Sequence, residues 1–558
     1  MKISSSGAAM VVLSASFTFA QSPAPSGQPA QPPAPVFRST TRLIQLNVVV
    51  QNRKGEPVSD LRKEDFTVFE NKKPQQIAVF SMDSTAKRIA SESKLPQNIF
   101  SNRLAARTGV PGSVTVLLID SLNTRWQDQV YAKQQVRQFL QQIQPGDHIA
   151  VYSLGRGLKI LHDYTTDAST LLQKLAKFQG ENLPDLAASE RPSDSGTTGD
   201  VLGLASLGES SAAADFYTAN RVVNTLKALE AIAAHLAGIP GRKNLIWLSG
   251  GFPLNIGFDE IPEPGKVSEK RSFSDEMDTA IRALNNANLA VYPVDARGLI
   301  TLSEFSADNP STAGAQPQPS LKPTVENLDT MEELASRTGG RASYNSNDLK
   351  NAIRRAMEDS RVSYTIGFYS ADPTPDNKFR ELKVKVDRPG VSIRHRKGYF
   401  ALRDVKQDDK TRQKEVRNAV WSPLDSTAVG MNARVDLFDV PKPDTVHVYT
   451  QIDPANVTLT EHGGRWLGKL DIVFVQKDAQ GHEYAGIADS LNLNVTRDNY
   501  AKILKNGIIY SRSFSRQPQA STLRIVVRDA GSGSTGSLSV PFLNVAKIML
   551  PPAPERPR

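Results

Sequence analysis

Residues 116–124 read VLLIDSLNT. Four apolar residues run into Asp120, and a cluster of small oxygen-bearing side chains follows. The stretch reads as a buried strand that either hands ligands to a divalent metal or stops in a polar turn. Outward from it, RWQDQVYAKQQVRQFLQQIQ (125–144) carries Val130, Val136, Phe139, Leu140 and Ile143 at helical spacing. HIAVYSLG (148–155) and LKILHDYT (158–165) read as strands, and a helix is predicted over 168–178. After a low-complexity loop at about 182–213, a helix at 216–237 ends at Gly238-Ile-Pro-Gly241 and leads into the buried strand KNLIWLSG (243–250). A helix over 274–287 follows, with Ser274 able to cap and Asp275 and Glu276 favouring the first turn. LAVYPVDA (289–296) is again a strand; a Pro/Ser/Gln loop (303–322), helices at 326–337 and 348–359 and the strand VSYTIGFYS (362–370) complete the series. Strands alternating with helices predict βαβ units and a mostly parallel, doubly wound α/β domain over 113–401. It closes on a hairpin-like pair that turns at Arg388-Pro-Gly390.

The 558 residues suggest about three to four domains. Residues 1–20 read as a signal peptide: Lys2, an apolar run at 8–20, and the small residues Thr18 and Ala20 before Gln21. That run is too short to span a bilayer, which takes roughly 20 apolar residues, and no later segment is long enough either. The chain has no cysteine, which removes disulfides, thiol catalysis and Cys-based zinc sites. An exported, secreted or periplasmic envelope protein held by packed cores fits that combination. The net charge of +9 is mild for this length and does not argue for nucleic acid. A Pro-rich linker covers 21–36, a small N-terminal β unit 37–82 and a polar connector about 83–110. A charged linker at 402–418 precedes recurring strand runs over 419–548, which predict an antiparallel β-sandwich, and 549–558 form a tail.

Several phrases taken together resemble a bacterial family of von Willebrand factor A-related proteins of the acidobacterial type. They are VVVQNRKGEPVSDLRKEDFTVFENKKPQQIAVF, VTVLLIDSLNT, GRKNLIWLSGGF, LAVYPVDARGL, ELASRTGGRA and SYTIGFY…RELKVKVDRPGVSIRHRKGYF, spread over about 37–401. The resemblance implies a Rossmann-like von Willebrand A domain used for protein contact, often through a divalent ion beyond the carboxyl ends of the strands. The family pattern is Asp-x-Ser-x-Ser, a Thr from a second loop and an Asp after the fourth strand. Laid on it, Asp120 matches the first carboxylate and Thr124 the last hydroxyl, Thr165 or Thr166 stands for the second-loop Thr, and Ser249 replaces the second Asp. Leu122 offers no oxygen at the middle position. One carboxylate with neutral hydroxyls holds Mg2+ or Mn2+ weakly at best, so the expectation is a degenerate metal site and no other cofactor. Thr124-Arg-Trp-Gln127 also reads as a capping box, and Ser249-Gly-Gly251 as a tight turn.

Other signals are weaker. Gly531-Ser-Gly-Ser-Thr-Gly536 satisfies G-x-G-x-x-G but lies between two strands, as a hairpin tip. The seven histidines are scattered, and no G-x-S-x-G elbow marks a nucleophilic serine. Arg388, Arg394, His395, Arg396 and Lys397 make a basic strand and turn, read as a charged edge or as a contact for an acidic partner. The functional expectation is therefore an exported, non-enzymatic protein that binds a protein partner or surface polymer through strand-end loops, with Asn123, Trp126, Gly250 and Phe252 (and Phe258) as contact candidates. A secreted hydrolase and a structural envelope or assembly component are the alternatives.

Overall fold

Four strands of this chain carry a run of apolar residues at their centres, and the fold buries each along its whole length. They are Val114–Asp120, Ile149–Leu154, Lys243–Ser249 and Leu289–Asp295, with every residue of each buried. Continuous burial is the mark of a parallel sheet covered on both sides. In this computed structural model the described residues are 43–84, 95–103, 114–144, 147–189, 204–239, 241–256, 271–299, 322–359, 361–372, 374, 376, 378–401, 408–438 and 444–547. The four strands pair in parallel, and the antiparallel strand Leu158–Thr165 forms one edge. Numbered along the chain, the order across the sheet is 5-4-1-2-3, so the first strand lies beside the fourth at a topological switch point. The helices Trp126–Leu140, Ala168–Lys177 and Leu349–Glu358 pack on one face, through Val136, Phe139, Leu171 and Ile353. The helices Leu204–Leu236, Ser274–Asn286 and Lys322–Thr338 cover the other, through Leu229, Ile232, Met277 and Leu334. The centre is thus α/β and doubly wound.

The structure differs from the sequence reading at several elements. The strand Val362–Tyr369 does not extend the parallel sheet. It runs antiparallel between Leu43–Gln51 and Ile77–Ser84. Phe379–Val386 likewise pairs with Phe66–Glu70. The cause is visible in Phe379–Val386, where exposed and buried positions alternate residue by residue; a period of two leaves one face wet and suits an antiparallel sheet. Two small sheets thereby share one core of Leu46, Val48, Phe66, Val68, Ile366 and Leu382, and the α/β layers are inserted between the chain segments that build it. The helix over 216–237 begins at Leu204, and Pro184–Ser189 is also helical, inside the stretch read as a loop.

Residues 444–547 with 431–438 form two antiparallel sheets around one core. Ile99–Ser101, read as connector, pairs with Met431–Phe438. Asn102 fastens it, donating from Nδ2 to the carbonyls of Ser426 (2.8 Å) and Val429 (2.9 Å). The stretch read as a charged linker contains the helix Asp409–Trp421, capped by Asp408, whose carboxylate accepts from the Thr411 amide at 2.8 Å. Its Ala419 and Val420 pack on Val475 and Val526. No helix among the described residues is long and apolar enough to cross a membrane. The signal peptide, the Pro-rich linker, Phe258, residues 303–321 of the Pro/Ser/Gln loop and the tail lie outside the described residues.

Candidate functional site

The strand Val114–Asp120 ends where a ligand site would lie in an open α/β sheet, and its final residue is completely buried. Asp120 accepts five hydrogen bonds. Oδ1 takes the amides of Leu122 (2.9 Å) and Asn123 (3.0 Å). Oδ2 takes Asn123 Nδ2 (2.9 Å), Trp247 Nε1 (3.0 Å) and Ser249 Oγ (2.7 Å). Burial pushes the Asp120 carboxyl above its ordinary value, and the donors from Asn123, Ser249 and Trp247 oppose that shift. The net direction is upward, so desolvation outweighs the donors.

A further layer holds the donors. Asn123 Nδ2 also donates to Thr225 Oγ1 (2.7 Å), and its Oδ1 accepts from Arg221 Nη1 (2.8 Å). One amide therefore links a buried carboxylate to a buried guanidinium. Thr124 Oγ1 accepts from the Gly250 amide (3.0 Å), and Ser249 Oγ accepts from the Gly251 amide (3.0 Å). Gly250 is required by close approach: a Cβ there would stand 2.5 Å from the Asn123 carbonyl. Gly251 has φ +78°, a conformation that favours glycine. Gln129 completes the floor, donating to the carbonyls of Thr124 (2.7 Å) and Glu181 (3.0 Å).

Asp120, Thr124 and Ser249 thus come together, and Thr165 does not. Thr165 pairs with Ile149 at the start of the neighbouring strand, whereas Asp120 pairs with Leu154 at its end. Five residues of strand separate the two levels, roughly 17 Å. The tight turn at Gly155–Gly157, where the Gly155 amide donates to the Gly157 carbonyl (3.2 Å), reverses the edge strand and carries Thr165 to the far end. Thr165 Oγ1 instead accepts from the Asp167 amide (3.0 Å).

The gathered residues do not fit a divalent cation. Magnesium needs a near-octahedral shell of oxygens. Both oxygens of the one carboxylate here face N–H and O–H donors, and the position facing it is a serine. A second carboxylate of the rim, Asp295 on the next strand, is held by Arg297 through two bonds of 2.9 Å. Among the described residues, no three His, Asp or Glu side chains gather as metal ligands.

Of the contact candidates, Asn123, Gly250 and Phe252 are buried. Phe252 packs on Trp247 with ring centroids 5.7 Å apart. Trp126 is 45% exposed, and Val130, one turn further along its helix, is 53% exposed. Thr124 does not cap that helix; the cap position is Arg125, without a side-chain bond, because the Thr124 hydroxyl is already used by Gly250. Ser274 is the first residue of its helix and not the cap, which is Phe273. Sequence reasoning missed Arg221, Thr225 and Trp247. The two helix residues lie about a hundred positions from Asp120, and no local spacing points to them.

No protein-family model matches this chain, and no curated protein matches it. Solved structures similar to it include an aerotolerance-related membrane protein from Bacteroides fragilis NCTC 9343, with 16% identity over 44% of this chain and 98% of that one, at a TM-score of 0.23. The vWF domain of the type V pili tip protein Mfa5 from Porphyromonas gingivalis has 12% identity over 45% of this chain and 94% of that one, at 0.25. A von Willebrand factor type A protein from Catenulispora acidiphila has 10% identity over 62% and 81%, at 0.23. At such identities and TM-scores, these likenesses carry no argument about function.

Proposed function

We propose that this is an exported, non-enzymatic protein that binds a protein partner at the rim formed by the carboxyl ends of its parallel strands. In this reading the centre is a von Willebrand A-like domain whose metal site is degenerate. The carrying observation is the exposure of Trp126 and Val130 on adjacent turns of one helix face, where i and i+4 side chains are neighbours. Tryptophan is enriched among the side chains that anchor protein interfaces. Leu299, 54% exposed, lies on the next loop of the same rim, where its amide donates to Asn347 Oδ1 (2.8 Å) and Asn347 is tied to Tyr131 of the Trp126 helix. The buried network behind Trp126 holds the loop rigid, so binding would order little. The apolar run at 8–20 supports export.

The test is photo-crosslinking in intact cells from a benzophenone side chain at position 126. A discrete adduct from that position, lost in Val130→Asp and absent when the probe replaces the exposed Leu504, is expected. No adduct from position 126, or the same adducts from both positions, contradicts the reading.

A further inference from the structure

At the opposite end of the parallel sheet, the small β unit meets the α/β layers around a small polar cavity of about 20 Å3. Two guanidinium groups line it, Arg242 and Arg396, with the side chains of Asn47, Asn285, Asn288 and Thr338. No carboxylate lines it. Arg242 is 3% exposed. Its Nη2 donates to the Tyr292 hydroxyl (3.0 Å) and the Gly339 carbonyl (2.6 Å), while its Nε finds no acceptor. A buried donor left unmatched costs about 1–3 kcal/mol, more when it is charged. Arg396 is set in place by a bond from Nη2 to the Gln45 carbonyl (2.7 Å) and by Gly339, where a Cβ would stand 2.8 Å from the Arg396 amide nitrogen. The hydroxyl of Thr338 is spent on the Val291 amide (3.0 Å) and the Leu334 carbonyl (2.7 Å), so it contributes shape.

We infer that this cavity is a binding site for one small tetrahedral oxyanion, inorganic phosphate or sulfate. Two guanidinium groups with an unmatched buried N–H call for an acceptor that offers several oxygens, and planar guanidinium forks suit oxyanions in bidentate contact. At about 20 Å3 the cavity lies far below the roughly 300–1,000 Å3 of sites for drug-sized ligands, so it has room for no more than one small ion and none for a nucleotide or sugar. Further cations surround the junction: Arg341 experiences Arg394 and Arg355, with Asp359 opposing them. Because Asn47 and Arg396 come from the β unit and Arg242, Asn285, Asn288 and Thr338 from the α/β layers, an ion here ties the two together.

The experiment is thermal melting of the full chain in sodium phosphate, sodium sulfate, sodium acetate and sodium chloride at matched ionic strength and neutral pH. Phosphate and sulfate also stabilise proteins generally by exclusion from their surfaces, so Arg396→Gln and Arg242→Gln are measured beside the parent. A specific ion raises the midpoint saturably, by mass action. Expected is a saturable rise with phosphate and with sulfate but not acetate, its apparent affinity at least about tenfold weaker in Arg396→Gln. An equal rise in parent and Arg396→Gln, an equal rise with acetate, or no rise in the parent overturns the inference. If Arg242→Gln does not fold, Arg396→Gln decides alone, and titration calorimetry of the parent with phosphate must then give a stoichiometry near one.

Discussion

The two ends of the parallel sheet handle buried charge in opposite ways. At the carboxyl ends, Asp120 is buried and both of its oxygens are matched by donors, which come from two segments of chain, 122–123 and 247–249. At the amino ends, two consecutive cations, Arg242 and Lys243, are buried. Arg242 keeps an unmatched Nε, and the Lys243 ammonium is bonded to the Ile239 carbonyl. At the end where this topology usually binds ligands the carboxylate has spent its bonding capacity internally, with the neutral oxygens Ser121 Oγ and Gln129 Oε1 unmatched, while at the other end a guanidinium N–H is left over. Satisfaction of the buried carboxylate, more than position in the fold, is what closes the rim to a cation.

The largest effect that can break this comparison comes from Asp120→Ala. It strands five donors in the core, and denaturant unfolding should show a loss of about 3–5 kcal/mol; a loss below about 1 kcal/mol would mean that the network holds nothing together. Gly250→Ala drives a methyl against the Asn123 carbonyl and should cost about 1–3 kcal/mol by the same measurement. At the amino end the sign reverses. Burial pulls the Lys243 ammonium from 10.5 down to about 7. Between those values the unfolded chain binds more protons than the folded one, so stability rises with pH across that window. Lys243→Met should raise stability at pH 7 by about 1–2 kcal/mol and flatten the pH dependence; an unchanged slope would show that Lys243 is hydrated in the folded state. The smallest effect on stability belongs to Trp126→Ala, within about 0.5 kcal/mol in the same unfolding assay; a larger loss would show that this side chain packs into the fold and is not held free for a partner.

Much of the centre was legible in the sequence because its strands carry continuous apolar runs and its helices a clear period. Asp120 was legible because it terminates such a strand. Thr165 was misplaced because the turn at Gly155–Gly157 reverses the edge strand, and a threonine read as rim lies at the opposite end. The strands at 362–400 looked like a continuation of the α/β series, yet they pair with the N-terminal strands, and of them Phe379–Val386 shows the alternating burial that suits an antiparallel sheet. The helix Asp409–Trp421 was hidden by its charge. Its anchors are Arg524, whose guanidinium donates to the carbonyls of Ala419 and Leu424 at 2.8 Å, and Arg528, which pairs with Glu415. Both arginines sit more than a hundred residues downstream of the helix's first turn. Partners at that separation leave no trace in local spacing, and the same holds for Arg221 and Thr225 beneath Asp120.

The most direct test of the closed rim is a thermal melt of the parent protein in EDTA against saturating Mg2+ or Mn2+. With Asp120 already matched by five donors, the midpoint should be the same in all three conditions. A saturable rise with either ion that disappears in Asp120→Ala would show that the carboxylate gives up its donors to a metal, and that the rim is an ion site after all.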